Sequence, residues 1–108
     1  MRWVALCQLD ELTEGQAKYV EVGGFQLAVF LHEGQPYVMD NYCPHAGGSL
    51  SGGYVRNRCG VCPWHHWAFD LETGQMPGSP LVKVATYKSR LLHRDQQPSL
   101  VQAQLPIY

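Results

Sequence analysis

The residues best suited to chemistry in this chain fall in two short stretches. In Cys43-Pro44-His45-Ala46-Gly47-Gly48 a thiol precedes an imidazole by two positions, and in Cys62-Pro63-Trp64-His65-His66-Trp67 by three. Sixteen residues separate His45 from Cys62. Thiolate and imidazole are ligands for transition metals, and two such loops facing each other supply four ligands to one small inorganic centre. Pro44 and Pro63 fix φ and stiffen each loop. Gly47, Gly48, Gly52 and Gly53 let the backbone turn tightly and can aim N–H groups at sulfur. Loops this irregular are tolerated where metal binding contributes to their order.

The residues alone leave choices open. Cys59-Gly60-Val61-Cys62 is a C-x-x-C knuckle that, with Cys43 and a histidine, makes a tetrahedral Cys₃His zinc site. His66 can replace His65 as the ligand, giving C-x₃-H instead of C-x-x-H. Cys7, His32 and His93 lie on strand-like stretches outside both loops and read as structural. There is no nucleophile–base motif, phosphate-binding glycine loop or flavin or nicotinamide fingerprint.

The text around the two loops resembles the Rieske [2Fe–2S] family: Cys-Pro-His-x-Gly-x-x-Leu over 43–50, then Cys-Pro-Trp-His-x-Trp-x-Phe-Asp-x-x-Thr-Gly over 62–74. The resemblance implies one [2Fe–2S] cluster, with Cys43 and Cys62 on one iron as thiolates and His45 and His65 on the other through ring nitrogens. It favours iron over zinc and His65 over His66, and makes Cys59 a strand cysteine at the cluster's edge. Trp64, Trp67 and Phe69 read as side chains that shield the cluster and fill the core, with an electron path as the other reading. Pro77-Gly78-Ser79-Pro80 resembles the family's proline-rich covering loop, and also reads as a plain turn. Two neutral imidazoles in place of thiolates make the site less negative and raise its potential above that of a four-cysteine ferredoxin. The outer N–H groups of those imidazoles have an acidity linked to the redox state.

Departures from the high-potential members are informative. Those proteins carry a further cysteine in each loop, joined as a disulfide; here the positions hold Gly48 and Trp64. Ser and Tyr hydroxyls that raise their potential are replaced by Trp67 and Phe69. The expected potential therefore lies toward the low end of the family range of roughly −150 to +300 mV. The implied role is outer-sphere, one-electron transfer by a ferredoxin component between a flavin reductase and a terminal oxygenase. A second reading is the small subunit of an NAD(P)H-dependent nitrite reductase, and a third is a zinc-stabilised interaction domain with no redox role.

The elements that must position the loops read as strands. Ala17 to Val22 alternates as a half-buried strand, Gly23-Gly24 suits a tight hairpin, and Phe25 to Leu31 and Pro36 to Met39 follow, separated by a turn at Glu33-Gly34-Gln35. Further strand-like pieces are Val55–Arg58, Trp67–Leu71, Leu81–Tyr87, Arg90–His93 and Leu100–Gln104, with turns at Glu72-Thr73-Gly74 and Asp95-Gln96-Gln97-Pro98. Leu9 to Gly15 has room for a short helical turn, capped by Asp10 or Thr13. The expected fold is all-β, a small antiparallel sandwich or barrel, with a cluster-binding subdomain over about residues 41 to 80.

With 108 residues and 45% hydrophobic content, the chain reads as one globular domain, 1–108. The net charge of −1 with scattered basic residues excludes a nucleic-acid footprint. Asp10, Glu11, Glu14 and Glu21 read as a solvated surface, or as a docking patch for a basic partner. The longest uncharged apolar stretch, Phe25 to Leu31, is too short to span a bilayer, and Met1-Arg2-Trp3-Val4 lacks a signal-peptide layout. A soluble cytoplasmic protein with protein redox partners is expected.

Overall fold

The computed structural model describes residues 1–44, 47–64 and 66–107. In chain order its strands are β1 (Arg2–Gln8), β2 (Ala17–Val22), β3 (Phe25–His32), β4 (Gln35–Asp40), β5 (Tyr54–Arg56), β6 (Cys59–Val61) and β7 (Ala68–Asp70). They continue with β8 (Gln75–Met76), β9 (Ser79–Lys83), β10 (Thr86–Tyr87), β11 (Ser89–Arg94) and β12 (Gln97–Leu105). Short 3-10 turns occupy Leu9–Glu11 and Leu50–Gly52.

A four-stranded sheet of order β10-β4-β3-β2 forms the middle layer. Its hairpin turns at Gly23-Gly24, where both residues have positive φ (+56° and +84°). That is the geometry a two-residue loop needs to match the twist of its strands, and glycine reaches it without a Cβ clash. Side chains along β3 alternate between two cores, as the period of two requires. Leu27 and Val29, with Val38 of β4, pack on Cys7, Val101, Ala103 and Leu105 of the sheet β1-β12-β11. Ala28 and Phe30, with Met39 of β4, pack on Cys43, Leu50, Cys62, Phe69, Leu71 and Val84. Burial on both faces explains why β3 is a continuous apolar run instead of an alternating one.

The second core joins the middle layer to the region of the candidate loops. There β5, β6 and β7 form a three-stranded sheet, and β8 and β9 a two-stranded one. The bridge between Gln16 and Tyr54, with the Val55 N–H donating to the Gly15 carbonyl at 2.8 Å, stitches this region to the chain entering β2. All ladders are antiparallel, so the all-β expectation holds.

Some boundaries differ from expectation. The run Leu81–Tyr87 divides into β9 and β10 at Val84-Ala85; the Val84 N–H donates to Gly74 and the Asp40 N–H to Ala85, so the chain changes sheets there. The last turn contracts to Asp95-Gln96, with Gln96 at φ +59°, and β12 starts at Gln97. The first helical turn ends at Glu11, and its carboxylate, rather than Asp10 or Thr13, closes it by accepting the Gln8 N–H at 2.7 Å.

Candidate metal centre

The first cysteine loop leaves the middle sheet at the end of β4. Asp40 is anchored there by the Tyr87 hydroxyl, which donates to Oδ1 at 2.7 Å. Burial, and then that hydrogen bond and the carboxylate's charge, hold the Tyr87 hydroxyl well above the ordinary tyrosine range. Asn41 follows. Its N–H donates to the Gln26 carbonyl, its carbonyl accepts the Leu50 N–H, and its Oδ1 accepts the Ser51 N–H. A bridge between Tyr42 and Ser49 narrows the neck further. Inside it the Cys43 N–H donates to the Gly48 carbonyl at 2.9 Å and the Gly47 N–H to the Cys43 carbonyl at 2.9 Å.

The second cysteine loop follows β6. It closes on itself when the Cys62 N–H donates to the Trp67 carbonyl at 2.7 Å. β6 pairs with β7 on its far side, so both ends of this loop are held by one ladder.

Cys43 and Cys62 come together at the bottom of the loops. Both are 0% exposed and share one core cluster with Phe69 and Leu50. Their thiols lie close enough to act on each other, and the Trp64 backbone amide faces the Cys62 sulfur. Burial pushes the Cys62 thiol up; the Trp64 amide pulls it down, and Cys43 raises it further. Two buried sulfurs side by side, one already faced by an amide N–H, fit a pair of thiolates on one iron, whose charge would replace the thiol protons. His45 and His65 lie outside the described residues.

The zinc knuckle is not assembled. Cys59 lies within β6, where the backbone advances about 3.3 Å per residue, so three steps spread C-x-x-C apart instead of curling it. Among the described residues no three metal-binding side chains gather. Cys59 is buried beside Asp70, with its thiol pushed up by burial and then by that carboxylate.

The remaining sequence candidates have definite places. His66 is exposed at φ +59°, with Nδ1 3.4 Å from the Tyr54 hydroxyl. Trp64 is 58% exposed, whereas Phe69 is fully buried and Trp67 packs at the edge of the cluster-side core. Phe69 thus fills the core, and Trp64 lies largely outside it. Pro77-Gly78 makes an exposed hairpin turn between β8 and β9. Cys7 belongs to the opposite core, His32 lies at the end of β3, with Nε2 3.5 Å from a Glu33 carboxylate oxygen, and His93 is exposed on β11. The Gly47, Gly52 and Gly53 amides serve backbone turns, donating to Cys43, Ser49 and Leu50, and the amide on sulfur is that of Trp64.

Acidic residues near the N-terminus are engaged locally. The Glu14 carboxylate accepts the N–H groups of Glu33 and Gly34 at 2.7 and 3.1 Å, which lowers its pKa. Glu21 accepts the Tyr19 hydroxyl, and Glu11 the Gln8 N–H. Asn41 is the supporting residue that spacing did not single out; its signal was a polar residue just past an apolar strand, two positions before a cysteine.

Comparison with known proteins agrees with this geometry. The Rieske [2Fe–2S] domain family matches residues 2–88, so the chain belongs to that family, and its cofactor is one [2Fe–2S] cluster. The ferredoxin component of naphthalene 1,2-dioxygenase/salicylate 5-hydroxylase systems of Ralstonia sp is 34% identical over 90 residues, covering 82% of this chain and 86% of that protein. The cholesterol 7-desaturase nvd of Hemicentrotus pulcherrimus is 36% identical over 80 residues, 72% of this chain, but the match spans only 17% of the desaturase. Among solved structures, a Mycobacterium tuberculosis protein described as the small subunit of an NADH-dependent nitrite reductase superposes with a TM-score of 0.83 at 26% identity, covering 98% of this chain and 97% of that one. Among the described residues no helix is long and apolar enough to cross a membrane.

Proposed function

We propose that the chain is a one-domain electron carrier, residues 1–108, in which Cys43 and Cys62 hold one iron of the cluster and His45 and His65 the other. The cluster, when bound, takes up and releases single electrons. The observation that carries this reading is the meeting of the Cys43 and Cys62 thiols, both fully buried, where two self-closed loops converge. The protein's part is to hold the two sulfurs at one place, keep water from them with Phe69 and Leu50, and supply the Trp64 amide to the Cys62 sulfur. Its partners are proteins. The ferredoxin relative, matched over most of both chains, supports a carrier that serves a terminal oxygenase; a flavin reductase as donor and a cytoplasmic setting complete the proposal.

A second reading has its own support. The likeness over 98% of the chain to the nitrite reductase small subunit favours a permanent subunit of such an enzyme. Co-purification with a large sirohaem and flavin subunit selects that reading; transfer to a separately purified oxygenase selects the first.

The ligand assignment is tested by EPR of the purified protein before and after dithionite, with iron and zinc assayed on the same sample. Two irons per chain, a silent oxidised state and a rhombic reduced signal of low average g are expected. Cys43→Ala and Cys62→Ala should each abolish the signal, as should His45→Ala and His65→Ala. A signal surviving in any of them removes that residue from the ligand set, and one zinc with no signal in protein prepared without oxygen overturns the redox reading.

A further inference from the structure

Each cysteine loop is closed by its own hydrogen bonds, Cys43 to Gly48 and Cys62 to Trp67. Those bonds shape the loops separately and do not set one against the other. Beyond the meeting of the two cysteines, contact between them is made on glycines. A Cβ on Gly48 would lie 2.9 Å from Trp64 Cδ1 and 3.2 Å from Cys62 Sγ, and one on Gly52 3.6 Å from Pro63 Cγ; at Gly53 it would collide with the Val61 carbonyl. In order along the chain, 48, 52 and 53 meet 64, 63 and 61. Three glycines on the first side thus let residues 61–64 approach closely.

We propose that Trp64 is a positioning residue that clamps the two loops, with Gly48 as its socket, and so fixes the separation of Cys43 and Cys62. The proposal rests on the assignment of those cysteines as ligands. Trp64 borders both sides of the site: its backbone amide faces the Cys62 sulfur, and its indole lies against Gly48, the residue whose carbonyl receives the Cys43 N–H. An indole that is 58% exposed is not serving as general core filling, and part of its covered face lies on Gly48. The indole excludes solvent from the seam and supplies dispersion contacts along it. Gly48 is required because any side chain there would displace the indole or press on the Cys62 sulfur.

The test uses the cluster-loaded protein and follows bleaching of its visible absorbance by an iron chelator, the EPR line widths of the reduced state, and melting by far-UV circular dichroism. Trp64→Ala should speed bleaching about tenfold, the factor that about 1.4 kcal/mol of lost contact gives, and broaden the EPR lines, because the sulfurs no longer hold one separation. Trp64→Phe should recover most of both. Gly48→Ala should also speed bleaching, but add less in the Trp64→Ala background than alone, because the two act through one contact. Bleaching of Trp64→Ala within about twofold of the parent, a factor of well under 1 kcal/mol, overturns the clamp, as do independent effects of the two substitutions. If Trp64→Ala fails to fold, Trp64→Phe and Gly48→Ala decide by the same readouts. A parent protein that holds zinc instead of iron overturns the ligand assignment itself, and is recognised before any variant is made.

Discussion

The Asn41 side chain holds the backbone of Ser51: Oδ1 accepts that N–H at 2.7 Å, across the neck of the loop that carries Cys43. Asn41 is the one buried polar residue among the described residues. Its amide and carbonyl are also engaged, with Gln26 and Leu50. One residue therefore bolts the first cysteine loop to β3 at one side and closes it at the other.

Asn41→Ala leaves the part-buried Ser51 N–H without its acceptor. The expected cost is about 1–3 kcal/mol of folding stability, measured by urea denaturation. Asn41→Asp keeps the oxygen and should cost less at neutral pH. Equal losses in the two variants would mean that the side-chain bond contributes nothing.

Much of the fold was legible because the strands obey simple periodicity. The apolar run Phe25–Leu31 and the pair Gly23-Gly24 together specify a hairpin entering a buried strand. What periodicity missed lies in the cluster-side half. β6 is only three residues, Cys59–Val61, and contains a glycine, so it has no pattern to read and is stabilised by its neighbours Tyr54–Arg56 and Ala68–Asp70 instead. The break at Val84-Ala85 was hidden because both residues are compatible with a strand; a tertiary hydrogen bond to Asp40 decides it.

Phe30 and Gly60 set the distance between the middle sheet and the cluster-side sheet. A Cβ on Gly60 would fall 2.7 Å from the Phe30 ring, so Gly60→Ala must push the sheets apart or tilt the ring. The cost should be about 1–3 kcal/mol, the usual range for overpacking. Phe30→Leu should make the alanine less costly than it is in the parent, giving a coupling of about 0.5–3 kcal/mol in a double-mutant cycle. Purely additive losses would place the strain elsewhere.

The site was legible in its ligand types and not in its supports. Two C-P-x-H-like loops announce a metal because cysteine, proline and histidine rarely cluster for packing reasons alone. Asn41, the Tyr87–Asp40 bond and the glycine contacts left no comparable signal, since each acts through a residue distant in sequence: Tyr87 reaches Asp40 across 47 positions. Spacing alone left the C-x-x-C at Cys59 open, because it does not say whether the backbone between the sulfurs is curled or extended; the surrounding motif placed Cys59 on a strand, where it lies.

Burial, then the Glu11 carboxylate, pushes the Cys7 thiol from its ordinary 9.0 up to about 11. Folding therefore favours the neutral thiol. Its contribution to stability is whole below pH 9 and is lost as the pH rises through about 11. Urea denaturation of the parent should show stability falling across that window. Cys7→Ala removes this group from the titration, so its curve should fall less steeply there. Identical slopes in the two proteins would show that Cys7 does not ionise differently on folding.

Phe69 is fully exposed to the core and to no water, in the same cluster of side chains as Cys43 and Cys62, and Trp67 packs at its edge. These are the positions at which high-potential relatives of the motif carry hydroxyls. A phenyl ring can exclude solvent from the sulfurs but cannot donate to them, so the extra charge of the reduced state is not offset by an O–H at that place. The amide of Trp64 that faces the Cys62 sulfur acts in the opposite direction, and the two neutral imidazoles of the proposed ligand set keep the site from being as reducing as a four-cysteine ferredoxin. The midpoint potential is therefore expected toward the low end of the roughly −150 to +300 mV Rieske range. Redox titration of the purified protein, followed by visible absorbance or EPR, measures it directly. A value above about +150 mV, well inside the high-potential part of that range, would mean that other donors reach the sulfurs and that Trp67 and Phe69 do not set the potential.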